Sequence, residues 1–200
     1  MSVERRGARI GVFGGTFDPV HVGHVAAAAT TRRALDLDRV LMVVANEPWQ
    51  KRGSRPITPA EDRFAMVAAS VEASDGLEAS RLELDRGGVS YTLDTLSELR
   101  AADSAAELFV IVGADVAADL HTWHRANDVA ELATIAVVTR PGAPEVALGP
   151  PWRVEAVEIP RLDLSSSDLR ARAAAGLPLD GLVPEGAMRW IRRCGLYAPG

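Results

Sequence analysis

The chain has one cysteine, Cys194, among its 200 residues. An internal disulfide framework and a cysteine-rich metal site are therefore excluded. No apolar run approaches the ~18 residues of a membrane helix. The stretch before the first glycine pair is basic but lacks the apolar segment of a secretory leader. An excess of positive charge is also missing. Twenty-seven acidic residues against 22 basic ones leave a formal net charge of −5, which argues against a general nucleic-acid binder. A small phosphorylated ligand is not excluded, because such a site needs only a few local Lys or Arg. There is no internal repeat and no long low-complexity segment. With 48% hydrophobic residues a sizeable core is available. The length suits one domain over 1–200, with a small helical part from about 165 onward. A cytoplasmic protein is expected.

Apolar runs alternate with helical patterns. Ile10-Gly11-Val12-Phe13, Val40-Leu41-Met42-Val43-Val44, Leu108-Phe109-Val110-Ile111-Val112 and Ile135-Ala136-Val137-Val138 read as buried parallel strands. Two further strands are expected over 77–84 and 153–159. Helices are expected over 21–37, from a Thr58-Pro59-Ala60-Glu61 capping box with proline at the first helical position to about 72, and over 92–100. More follow Gly113-Ala114-Asp115, cover 127–132, begin at Ser165-Ser166-Ser167-Asp168, and cover 184–194, where Cys194 is expected to be buried. This alternation implies an α/β fold: a Rossmann-like parallel sheet with helices on both faces. Ligands of such sheets bind at the carboxyl ends of the strands. Gly14-Gly15, Gly113-Ala114-Asp115 and Arg140 each follow an expected strand, so one edge should collect them.

The chain is organised around Gly14-Gly15-Thr16-Phe17-Asp18-Pro19-Val20-His21-Val22-Gly23-His24. It is a strand-to-helix turn, where backbone can approach an anion and a helix N-terminus offers free N–H groups. His21 and His24, three residues apart, face one side. A phosphate-binding turn beside two imidazoles suits work on a nucleoside triphosphate. It is neither a Walker A loop, since no Gly-Lys-Ser/Thr follows, nor the dinucleotide fingerprint.

This stretch resembles the signature of the nucleotidyltransferase superfamily whose (T/H)xGH motif is shared with class I aminoacyl-tRNA synthetases. It is most similar to the bacterial nicotinate mononucleotide adenylyltransferases. Other segments carry the same likeness. Ser165-Ser166-Ser167-Asp168-Leu169-Arg170 resembles the family's Ile-Ser-(Ser/Ala)-Thr-x-Ile-Arg, with Leu164, Ser167 and Leu169 as departures. Gly113 to Trp123 resembles GxDxxxxLxxW, Tyr91-Thr92-Leu93-Asp94-Thr95-Leu96 resembles Tyr-Thr-x-x-Thr-Leu, and Thr139-Arg140-Pro141-Gly142 resembles an Arg-Pro-Gly after a strand. In Asn46-Glu47-Pro48-Trp49-Gln50-Lys51 the family's usual histidine is replaced by Gln50, while Lys51 is kept.

The resemblance implies transfer of AMP from ATP to nicotinate mononucleotide, as part of NAD biosynthesis. It implies His21, His24 and Arg170 in the chemistry, and Gly14, Gly15, Thr16, Phe17, Gly113, Asp115, Ser166 and Ser167 around ATP. Lys51, Tyr91, Thr92, Trp123 and Arg140 fall to the nicotinate nucleotide. Mg²⁺ is expected with ATP, and no dedicated metal cage. The partners are these small molecules, with neither nucleic acid nor membrane, and homo-oligomer formation is left open. Phosphopantetheine adenylyltransferase, a cytidylyltransferase and a non-catalytic nucleotide sensor are the alternatives.

Overall fold

A computed structural model of the chain describes residues 7–48, 56–142, 146 and 148–198. In chain order it runs β1 (Arg9–Gly15), α1 (Val22–Ala34), β2 (Arg39–Val44), β3 (Glu47–Pro48), α2 (Ala60–Val71), β4 (Leu77–Ser80), α3 (Leu82–Arg86) and β5 (Val89–Ser90). Then come α4 (Thr92–Ala102), β6 (Glu107–Gly113), α5 (Ala114–Ala118), α6 (Ala126–Leu132), β7 (Ala133–Thr139), β8 (Val154–Glu158), α7 (Ser166–Ala174) and α8 (Glu185–Cys194). Six strands form one sheet in the order β4-β2-β1-β6-β7-β8, and every pairing in it is parallel. The two-residue strands β3 and β5 pair separately. The chain builds outward from β1 to β4, then restarts at β6 on the other side. Strand order therefore reverses between β1 and β6, and a crevice opens at their carboxyl ends.

Alternate residues of each central strand feed two cores. Val40, Met42 and Val44 of β2 join Phe109 and Ile111 of β6 on one face, under Ala28 of α1, Met66 and Val67 of α2, Leu169 of α7 and Ile191 of α8. Leu41, Val43, Leu108, Val110 and Val112 serve the other face, under Leu93 and Leu96 of α4, Ala117 of α5 and Val129 of α6. Strands covered on both sides need apolar residues at every position, which is why their sequences are continuous rather than alternating. Glycine serves the packing where α8 crosses α2. A Cβ on Gly186 would lie 2.0 Å from the Ala69 carbonyl oxygen, so only glycine allows that approach.

Several expectations need correction. The strand at 77–84 stops at Ser80, and the remainder turns into α3. Pro59 is the residue before α2 rather than its first helical position, with ψ at 142°. The capping box does not form there. The Thr58 hydroxyl donates to the Tyr197 hydroxyl instead, and both Glu61 carboxylate oxygens accept from Arg81. The helix after Gly113 ends at Ala118, and a 3-10 turn over Leu120–Thr122 continues it. Cys194 is exposed. Helix α8 buries Gly186, Ala187, Met188 and Ile191, and its last turn, with Arg192 and Arg193, faces solvent. Among the described residues no helix is long and apolar enough to cross a membrane.

Candidate functional site

A cavity of about 330 Å³ occupies the crevice where strand order reverses. Gly14, Gly15 and Thr16 line it from the end of β1, Gly113 from the end of β6, and Thr92, Glu83 and Trp123 close the far side. Its size is that of small-molecule sites, ~300–1,000 Å³. The glycines do different work. A Cβ on Gly15 would sit 2.8 Å from the Phe17 ring, whereas one on Gly14 or Gly113 would meet nothing within 4 Å. Gly15 thus lets the turn close on itself, while Gly14 and Gly113 leave open space at the cavity wall. Phe17 is held at φ 50°, a left-handed conformation unusual for a non-glycine residue, and its ring is buried.

His21 and His24 flank the start of α1, and their rings stack with centroids 3.6 Å apart. The His21 backbone N–H donates to Nδ1 of His24 at 3.1 Å. An accepting Nδ1 puts the proton of a neutral His24 ring on Nε2. Phe17 meets the His24 ring edge-on at 5.1 Å, which fixes its plane. Burial lowers the His21 pKa from 6.5 to about 4. At neutral pH His21 is therefore a neutral hydrogen-bonding group and not a standing cation.

The C-terminal part of the chain grips the same turn from behind. Arg170 donates through Nη1 to the Asp18 carbonyl at 2.7 Å and through Nη2 to the Ser167 hydroxyl at 3.0 Å. Ser166 donates to the Pro19 carbonyl at 2.8 Å. Ser165 caps α7, accepting from the Asp168 N–H at 3.1 Å, so the serine run forms a genuine helix start. Tyr197, beyond α8, donates its hydroxyl to the Asp18 carboxylate at 2.6 Å. Burial, and then this carboxylate, hold the Tyr197 hydroxyl well above its usual pKa.

At the other end of the cavity Thr92 opens α4, and Trp123 follows the 3-10 turn. Glu83 is buried beside them and accepts from the Thr95 hydroxyl at 2.9 Å. Burial pushes its carboxyl above the usual range, opposed by hydrogen bonds from Ser90 and Thr95 and by the Arg86 charge. Ser90 also accepts from the Asn46 N–H at 2.9 Å, so a polar chain runs from the end of β2 to α4.

Other expected site residues stand further out. The Tyr91 ring lies against His124, with centroids 4.5 Å apart. Asp115 is exposed at the start of α5. Arg140 follows β7 and pairs with Asp163. Lys51, with Trp49 and Gln50, lies outside the described residues. Among the described residues no group of three or more His, Cys, Asp or Glu is placed to hold a metal ion.

Glu83, Ser90 and Tyr197 were not singled out by the sequence, nor was Arg63 of α2, and Thr95 stood in the Tyr-Thr-x-x-Thr-Leu segment without a role. One signal was available for Arg63, which recurs with Met66, Val67 and Val71 on the apolar stripe of its helix.

The cytidylyltransferase-like family profile matches residues 12–172. A Corynebacterium kroppenstedtii protein named "probable nicotinate-nucleotide adenylyltransferase" is 44% identical over 194 residues, 96% of this chain and 92% of the relative. One of the same name from Saccharopolyspora erythraea is 42% identical over 193 residues, 96% and 91% of the two chains. Among solved structures, the Plasmodium falciparum nicotinic acid mononucleotide adenylyltransferase complexed with NaAD superposes with a TM-score of 0.77. That match covers 95% of this chain and 97% of the other at 16% identity, a likeness of fold.

Proposed function

The chain belongs to the cytidylyltransferase-like family, among its nicotinate-nucleotide adenylyltransferases, and from that premise we propose that it transfers the AMP of ATP to nicotinate mononucleotide. The products are deamido-NAD and pyrophosphate, and the reaction belongs to NAD biosynthesis. The observation that carries this reading is the single cavity at the β1/β6 crevice. It is lined by the glycine turn, by Thr92 and by Trp123, and two stacked imidazoles outside its lining follow that turn at the start of α1.

The reaction needs no protein nucleophile. An oxygen of the acceptor phosphate attacks the α-phosphorus of ATP in line, the bond from that phosphorus to the bridging oxygen breaks, and pyrophosphate leaves. The protein contributes position and charge stabilisation. Backbone N–H groups from Gly14 to Phe17 meet phosphate oxygens at the N-terminus of α1. His24, through Nε2, and His21 donate to the phosphates as negative charge moves onto the leaving group. Arg170, with Ser166 and Ser167, faces the departing pyrophosphate. Gly113 and Asp115 border the nucleotide. Trp123 offers a flat face to the pyridine ring and Thr92 an N-terminal helix turn to its carboxylate, while Tyr91, Arg140 and Lys51 are assigned to the acceptor by the family likeness alone. Mg²⁺ enters as part of the MgATP substrate, held mainly by phosphate oxygens, as magnesium usually is. Action in the cytoplasm, on small molecules rather than nucleic acid, completes the reading.

The test is chromatographic detection of deamido-NAD from MgATP and nicotinate mononucleotide, with His24→Ala alongside. The wild type forms product. The variant binds both substrates and loses about 100- to 1,000-fold in kcat, the size of one lost donor to a transition-state oxygen. No product from a wild type that binds ATP would move the nucleotide-sensor reading forward.

A further inference from the structure

Arg63 is 1% exposed, although it sits on a helix that faces the core. Its guanidinium donates to four main-chain carbonyls. Nε reaches Thr58 at 2.8 Å, Nη1 reaches both Thr16 at 2.9 Å and Ala45 at 2.7 Å, and Nη2 reaches Asn46 at 3.2 Å. Thr16 belongs to the turn after β1. Ala45 and Asn46 belong to the turn after β2. One buried cation thus gathers the two turns that border the cavity on this side of the sheet.

A trans peptide is planar, so the N–H of one residue points opposite to the carbonyl of the residue before it. The consequence is visible at Ala45, whose carbonyl faces Arg63 while the next N–H, that of Asn46, donates away from it to Ser90. The same rule applied to Thr16 turns the Phe17 N–H away from α2. Phe17 stands at φ 50°, a conformation that persists only where its surroundings impose it. We infer that Arg63 is a positioning residue for phosphate binding: by holding the Thr16 carbonyl inward it presents the Phe17 N–H outward to an ATP phosphate. Touching no substrate, it acts through the turn. A lysine keeps the charge but is a compact point donor that cannot span carbonyls from three segments as a planar fork does.

This inference rests on the adenylyltransferase reading only for the identity of the anion. Its test is Arg63→Lys, followed by calorimetric titration with MgATP without acceptor and by steady-state turnover. The folded variant is expected to bind MgATP at least tenfold more weakly, and kcat is expected to fall by up to about 100-fold, the scale of a misplacement near 1 Å. A purely structural role would lower the melting temperature and folded fraction while the folded fraction kept the wild-type Kd and KM for ATP, and that result overturns the inference. Should the variant not fold, the wild type decides. The Phe17 amide resonance is expected to move downfield on adding MgATP, and an unmoved resonance overturns the inference. Failure of the wild type to use nicotinate mononucleotide would strike the proposed reaction, whereas the MgATP titrations judge Arg63 separately.

Discussion

His21 lies where the chain leaves the glycine turn for α1, and burial brings its pKa from 6.5 to about 4. Between those values the unfolded chain binds a proton that the folded one refuses, so stability falls as pH drops through that window. The raised pKa of Glu83 acts in the opposite sense at overlapping pH, so the contribution must be read against a variant. In denaturant melts from pH 7 to 4, His21→Asn is expected to lose less stability than the wild type, and equal losses would contradict a buried neutral imidazole. Gly14 permits a second residue-level test. Its added methyl meets nothing in the protein, so Gly14→Ala is expected to change stability by no more than about 0.5 kcal/mol. The methyl would project at the cavity wall, and kcat/KM for ATP is expected to fall by at least tenfold, an order-of-magnitude figure for a displaced phosphate. An unchanged kcat/KM would show that ATP does not approach there. At this scale the sequence was informative where chemistry needs an unusual residue in local order, as in the glycines and histidines of one turn. It was silent on Glu83 and gave Arg63 no more than a place on an apolar stripe, because the partners of both come from distant segments.

The elements show why some boundaries were legible. Strands β1, β2, β6 and β7 are covered on both faces, and their continuous apolar runs announced them. Helix α3 was hidden because Leu82 and Leu84 alternate with Arg81 and Glu83 as a strand would, although they are out of phase with Leu77 and Ala79 and only Leu77–Ser80 pairs with β2. That missed turn matters, because it carries Glu83 to the cavity. The start of α2 was misread for a similar reason: Thr58 and Glu61 have capping chemistry, but Tyr197 and Arg81 engage them first. The segment after α8 reverses through Gly195 at φ 62° and Tyr197 at φ 61°, bringing the tyrosine hydroxyl to Asp18. A hydrogen bond to a charged group contributes about 1.5–3 kcal/mol. Tyr197→Phe is therefore expected to lower unfolding free energy by about 2 kcal/mol in denaturant titrations. No loss would mean that the tail does not hold the turn in solution.

On the scale of the whole molecule, the site is assembled from both ends of the chain. The turn at 14–24 is gripped by α7 and by Tyr197, and α3, α4 and the residue after the 3-10 turn line the cavity with it. The parallel order β4-β2-β1-β6-β7-β8 makes this possible by bringing the ends of β1 and β6 side by side. The fold class and this shared edge followed from alternation alone. The depth of the cavity and its buried carboxyl did not, because they depend on how α3 and β5 close over the sheet. In the proposed reaction the acceptor is what distinguishes one adenylyltransferase from another. The most direct measurement is therefore pyrophosphate release from MgATP with nicotinate mononucleotide, nicotinamide mononucleotide or phosphopantetheine in parallel. Turnover with nicotinate mononucleotide at the highest kcat/KM of the three is expected, and its loss on Trp123→Ala would place the pyridine ring at that side chain. Turnover with phosphopantetheine alone would leave the fold and the phosphate chemistry standing and contradict the acceptor site.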